Sequence, residues 1–255
     1  MTAELPTRPD FRWKTAPIRP KRAMILAAGM GKRMRPVTVT TPKPLIEVGG
    51  RALIDHALDR LERAGVQRVV VNVHYLAQLI RVHLNRRRAP EIVISDETDL
   101  LLDTGGGITK ALPHLGDQPF YLLNADSFWI EGARPNFEWL ANAWREDAMD
   151  ALLMLASTVR AVGYNGCGDF HMDPAGHLVR PPEREVAPFA YAGAAILHPR
   201  LFVNRKAEPF SLNALFDEAL EAGRLFGVRM DGLWLHVGTP EAIAEAEHSI
   251  ADSAV

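Results

Sequence analysis

The chain holds a single cysteine, Cys167, which excludes an internal disulfide and a zinc cluster built on cysteines. That usage fits a reducing compartment, and Cys167 itself reads as an incidental thiol rather than a nucleophile. Net charge is also sparse. A formal value of −2 lacks the basic excess with which nucleic-acid binders follow a phosphate backbone. Long apolar runs are missing too: residues 23–28 and 151–156 fall far short of a membrane span, and the N-terminus lacks the apolar centre of a signal peptide. The expectation is a soluble, cytoplasmic protein whose partners are small molecules, with no nucleic acid and no membrane. Lysine is scarce as well, at six of the 29 basic side chains, so a lysine held in a fixed setting is informative.

What the chain does have is a hydrophobic fraction of 47% over 255 residues, enough for a core that needs no staple. From Ala23 onward, short apolar runs alternate with helical patterns. This is the signature of βαβ units and predicts a Rossmann-like three-layer α/β/α fold with a mostly parallel central sheet. Strands are expected at 23–27, 69–73, 92–94, 120–123 and 151–156. Helices are expected around Leu53–Leu61, around Leu79–Leu84, after the glycines of 104–112, from Asn136 as N-cap to about Asp147, and from Pro240 behind a Thr239 cap. The turn residues Asp173-Pro174-Ala175-Gly176 predict a hairpin, so the second half is more mixed and forms the acceptor side of a cleft. Residues 1–22, rich in Pro and Arg without periodicity, read as an extended or disordered arm, with Phe11 and Trp13 able to pack on the body. Residues 23–255 read as one domain.

The chemistry concentrates after the first strand. Leu26-Ala27-Ala28-Gly29-Met30-Gly31-Lys32-Arg33-Met34-Arg35-Pro36 puts two glycines and three cations into one loop. Glycines let backbone N–H groups approach phosphate oxygens, and the cations neutralise charge that those dipoles cannot. The dinucleotide fingerprint fails, because Met34 stands at its third glycine; the P-loop fails, because Leu26 stands at its first and Arg33 follows the lysine. Pro42-Lys43-Pro44 then fixes one lysine between two rigid residues, suiting a point contact to phosphate, although alone it also reads as a solvated loop. Asp126 lies just past an apolar run, where open α/β sheets place their ligands; a carboxylate there serves either as a Mg²⁺ ligand or as a turn cap. Gly105 to Gly107 are either a flexible turn or a helix start whose N–H groups face a ligand. His74, His83 and His114 lack metal-ligand spacing, and Ser127 has no adjacent base, so none receives a catalytic role.

The pattern Gly29-x-Gly31-x-Arg33-x-x-Pro36 with Thr38 and Pro42-Lys43-Pro44 resembles the signature of the sugar-1-phosphate nucleotidylyltransferases. The likeness continues through Thr104-Gly105-Gly106-Gly107, Asn124-Ala125-Asp126, Tyr191-Ala192-Gly193 and 234–239, and so spans residues 23 to about 250. It implies the nucleotide-diphospho-sugar transferase fold and transfer of a nucleotidyl group from a nucleoside triphosphate to a sugar 1-phosphate, with pyrophosphate leaving. Arg33, Lys43 and Asp126 would be catalytic. Ala27, Ala28, Gly29 and Gly31 would hold the nucleotide, Thr104 and Gly105 would help read its base, and Tyr191 and Gly193 would lie beside the sugar. The cofactor would be Mg²⁺ on Asp126, with Mn²⁺ or Co²⁺ as softer alternatives.

The short length, the TGGG turn and Gly168-Asp169-Phe170 resemble the branch that lacks a C-terminal β-helix and uridylylates N-acetylmuramate 1-phosphate in peptidoglycan recycling. Mannose-1-phosphate guanylyl transfer and an idle nucleotide-sugar-binding regulator are the alternatives. Arg180 and Arg184 are the cations available for the lactyl carboxylate. Two departures stand out: residues 180–185 contain no lysine where the longer enzymes have one, and His236 replaces the aspartate usual at a second metal position. His236 reads as a bystander, or else as a ligand for a softer metal.

Overall fold

A computed structural model describes residues 17–253. Phe11 and Trp13 therefore lie outside the described residues. At the C-terminal end of the expected arm, Ile18 packs against the core. The elements run β1 (Arg22–Leu26), β2 (Glu47–Val48), β3 (Arg51–Ala52), α1 (Leu53–Arg63), β4 (Arg68–Val73), α2 (Ala77–Leu84), β5 (Glu91–Asp96), α3 (Asp103–Leu115), β6 (Phe120–Asn124) and β7 (Ser127–Glu131). They continue with α4 (Asn136–Ala143), β8 (Ala151–Ser157), β9 (His171–Met172), β10 (Leu178–Val179), β11 (Phe189–Leu197), α5 (Leu212–Glu221), β12 (Leu225–Arg229), β13 (Gly232–His236) and α6 (Pro240–Ser253). Among the described residues no helix is long and apolar enough to cross a membrane.

Seven strands form the central sheet in the order β12-β8-β11-β6-β1-β4-β5. All are parallel except β11, which runs antiparallel between β6 and β8. Strand alternation sorts side chains onto two faces. Ala23 and Ile25 of β1 join Leu58, Leu61, Ile80 and Leu140 on one side. Met24 joins Ile108, Ala111, Leu215 and Phe216 on the other. Helices α1, α2 and α4 thus cover one face and α3 and α5 the other, the three layers expected. A smaller core ties the β7–β13 ribbon to α6 through Phe128, Leu235, Val237 and Ala246.

Two expectations need correction. Asn136 is not the cap of α4: Pro135 stands there, and Asn136 is the first helical residue. Its amide donates to Glu131 Oε2 at 2.7 Å and to the Asp231 carbonyl at 2.7 Å, and it accepts the Asp231 N–H at 2.8 Å. Distant partners have claimed a side chain that local pattern assigned to the helix end, and the helix stops at Ala143 rather than near Asp147. The second correction concerns the glycines after Thr104. They lie inside α3 and are buried, as close-packing positions rather than a flexible turn. A methyl on Gly105 would overlap the Phe210 ring, and one on Gly106 the Glu208 carbonyl.

Candidate active site

The carboxyl ends of β1, β4 and β6 open onto a cleft of about 550 Å³. Its floor is the loop leaving β1, with Ala27, Ala28, Gly29, Gly31 and Arg33 all on its wall. Two constraints shape that loop. Gly31 has φ +60, and a Cβ there would stand 2.9 Å from Thr38 Cγ2, so a larger residue is both strained and crowded. Thr38 is buried and donates its hydroxyl to the Gly31 carbonyl at 2.7 Å. Tyr75 donates its own hydroxyl to the Thr38 carbonyl at 2.8 Å. The N–H groups of Ala28 and Gly29 donate to no protein acceptor among the described residues, so they are free for an anion. Arg33 is exposed on the same loop and has no carboxylate partner among the described residues.

Lys43 stands against the same loop on a 3-10 turn begun by Pro42, so close that a Cβ on Gly31 would lie 3.3 Å from the Lys43 Cβ. Its Nζ donates to Asp126 Oδ2 at 2.9 Å, with side-chain exposures of 12% and 28%. Partial burial pushes the Asp126 carboxyl upward, but Lys43, by charge and hydrogen bond, and His236 outweigh it and hold the group below the ordinary carboxylate range. The β7–β13 ribbon places His236 opposite Ser127, one residue beyond Asp126, and the Val237 N–H reaches the Asp126 carbonyl at 3.2 Å. Burial, offset partly by Asp126 and reinforced by Lys43 and Arg33, lowers the His236 pKa, so its imidazole is neutral near pH 7. Its Nδ1 is buried without a hydrogen-bond partner, and its ring rests against Tyr164 and Trp234.

Among the described residues no three His, Cys, Asp or Glu side chains converge as a metal cage. The group that fits a divalent cation is Asp126, whose carboxyl is held below the ordinary range, while the partnerless Nδ1 of His236 is buried and is not an oxygen donor. A single carboxylate suits an ion that takes its remaining ligands from water and phosphate.

The third wall is α3. Asp103 and Thr104 line the cleft, as do Asn72, Asn124 and Gly238. Gly105 sits behind them, buried, with its N–H given to the Phe210 carbonyl at 2.9 Å; it does not face the cleft. Thr104 Oγ1 accepts the Leu212 N–H at 2.8 Å, which anchors α3 to α5. Tyr191 lies on β11 within electrostatic reach of Asp126, its hydroxyl buried without a partner and its pKa pushed above the usual phenol range by burial. Gly193, at φ +77, sits in the irregular stretch where β11 slips register against β8 between Tyr191 and Ala195. Neither lines the main cleft. Arg180 is committed elsewhere, paired with Asp217 at 2.9 Å and stacked 4.4 Å over Phe170.

Sequence reasoning brought Ala27, Ala28, Gly29, Gly31, Arg33, Lys43, Thr104 and Asp126 to one place, and the structure brings the same residues together. It missed Asn72, Asp103 and Gly238. Asn72 carried a readable signal, a lone amide in the apolar run 69–73, and Gly238 lay inside the family-like stretch 234–239 without being given a role; Asp103 carried none.

A chain from Caulobacter vibrioides named N-acetylmuramate alpha-1-phosphate uridylyltransferase is 46% identical over 238 residues, covering 92% of this chain and 98% of that one. A chain of the same name from Neisseria meningitidis serogroup B is 36% identical, covering 89% of this chain and 96% of its own. The fold is shared with a UDP-glucose pyrophosphorylase solved in complex with UDP-glucose, at TM-score 0.74 and 17% identity over 91% of this chain and 99% of that one. The nucleotidyl transferase family model matches residues 22–253, and the chain belongs to that family.

Proposed function

We propose that the chain transfers the uridylyl group of UTP to N-acetylmuramate 1-phosphate and releases pyrophosphate. The observation that carries the reaction type is the Lys43–Asp126 pair at 2.9 Å, which lines the same cleft as Ala28 and Gly29 with their open N–H groups. The choice of base and sugar is supported by the likeness to the two uridylyltransferases.

The acceptor phosphate is already ionised at neutral pH, so no general base is needed, and the cleft requires only groups that position and neutralise anions. Ala28 and Gly29 offer N–H groups to the triphosphate. Arg33, exposed and without a carboxylate partner among the described residues, meets the pyrophosphate as charge builds on it. Lys43 bridges between the donor phosphate and Asp126, keeping the carboxylate ionised and in place. Mg²⁺, held through Asp126, would supply charge neutralisation at the reacting phosphate. His236, neutral, stands as a bystander to that ion. Tyr191 and Gly193 border the sugar side.

The test is a panel of UTP and GTP against N-acetylmuramate 1-phosphate and mannose 1-phosphate, read by pyrophosphate release. The expected result is turnover highest with UTP and the muramic acid derivative. Preference for GTP and mannose 1-phosphate would overturn the substrate assignment. Nucleotide-sugar binding without release would overturn catalysis.

A further inference from the structure

Beside the cleft lies a buried carboxylate that none of these roles uses. Glu97 follows β5 and is 1% exposed, and no lysine or arginine pairs with it among the described residues. An ionised carboxylate in such a place is costly unless each oxygen finds a donor. Both do. Oε1 accepts from Asn72 Nδ2 at 2.8 Å and Oε2 from the Leu102 N–H at 3.0 Å.

Asn72 is itself 2% exposed, and its Oδ1 accepts the Ala27 N–H at 2.8 Å. A backbone N–H can only donate and a carboxylate can only accept, so these neighbours fix which way the amide points. The register explains why Ala27 needs that partner. Leu26 is the last residue of β1 and lies opposite Asn72 in β4, so the N–H at Ala27 leaves the strand ladder just where the phosphate loop begins. At the other end, Leu102 is the residue before α3, whose first turn carries the cleft residues Asp103 and Thr104. One carboxylate therefore holds two lips of the cleft in register. The third glycine of the run leaves room for it: a Cβ on Gly107 would stand 2.7 Å from Glu97 Oε1 and 2.9 Å from Asn72 Nδ2.

We propose that Glu97, acting through Asn72 and Leu102, is a positioning residue for the nucleotide. The inference rests on the cleft being the nucleotide site. In Glu97→Gln, the new amide must aim a donor at either Asn72 Nδ2 or the Leu102 N–H, and a flip of Asn72 to relieve this would abandon Ala27. Loss of one such charge-assisted bond predicts a rise of about 10- to 100-fold in KM for UTP, with kcat and the sugar phosphate KM each within about 3-fold of wild type. The double variant Glu97→Gln with Asn72→Asp reverses amide and carboxylate. The carboxylate now on β4 accepts from the Ala27 N–H and from the amide that replaces Glu97. The oxygen of that amide accepts the Leu102 N–H, so every donor again meets an acceptor at unchanged net charge.

The experiment measures both KM values, kcat, melting temperature and the calorimetric Kd for UTP in wild type, the two single variants and the double. Support is a selective nucleotide defect in each single variant and its recovery to within about 5-fold in the double. The inference is overturned if Glu97→Gln leaves UTP affinity unchanged. It is equally overturned if both substrates and the melting temperature fall together, or if the double is no better than the worse single. A wild type that binds UTP but releases no pyrophosphate would sink the catalytic reading alone, because the Kd comparison still decides the role of Glu97. A wild type that binds no UTP sinks both.

Discussion

Two regions of the molecule treat their polar groups differently. At the ends of β1 and β4 and in the loop beyond them the polar side chains that shape the cleft are paired: buried Thr38 with Gly31, buried Asn72 with Ala27 and Glu97, and half-buried Asp126 with Lys43. Around β11 and β13 three buried polar atoms, Tyr191 Oη, Trp234 Nε1 and His236 Nδ1, have no partner, while Arg180 is tied to Asp217 at the periphery. The difference teaches that the nucleotide side is organised before any ligand arrives. Its shape is held by short glycine and proline constraints and closed hydrogen-bond chains, so its chemistry is expected to be sensitive to single atoms.

The sharpest way to break the comparison is Asp126→Asn, which should lower turnover by about two to four orders of magnitude while UTP affinity falls less. A near-normal rate in single-turnover assays would remove Asp126 from the mechanism. Next comes Arg33: Arg33→Ala should cost about 10- to 100-fold in kcat/KM, and Arg33→Lys should recover only part of it, because one point charge replaces a planar fork. Full recovery would mean that charge alone matters at that position.

Gly106→Ala separates packing from binding. Its methyl would overlap the Glu208 carbonyl, so stability should fall by about 1–3 kcal/mol even after the gain in helix propensity. Chemical denaturation measures this, and an unchanged midpoint would contradict the close packing of α3. In the β7–β13 ribbon, His236→Asp should raise Mg²⁺ affinity severalfold over a wild type that already works with Mg²⁺. A wild type active only with Mn²⁺ or Co²⁺ would instead make the imidazole a ligand. The smallest effect belongs to Tyr191→Phe. Removing a hydroxyl that has no partner should shift stability by less than about 1 kcal/mol, and a larger loss would reveal a bond the free protein depends on.

The same contrast explains what was legible in the sequence. Gly31, Lys43 and Asp126 announce themselves because their roles are set within a few residues, by a turn, two prolines or the end of an apolar run. The three-layer architecture was readable for a similar reason, since strand and helix periods are local. The Asn72–Glu97 chain was not, because its partners are 25 residues apart and meet only when β4 and β5 pair. Asn136 misled for the same cause: its true partners include Asp231, 95 residues away. Gly105 and Gly106 look like a turn in sequence, and only the approach of the segment before α5 shows that they are spacers.

The antiparallel strand has a consequence for how the molecule is made. β11 fills the slot between β6 and β8, and those two strands are almost wholly buried in the finished sheet. Both are synthesised well before residue 189. Until β11 emerges, a growing chain carries two apolar strands whose facing edges have no partner, the kind of edge that recruits other chains. Fragments ending before β11 should therefore aggregate more readily than those ending after β12.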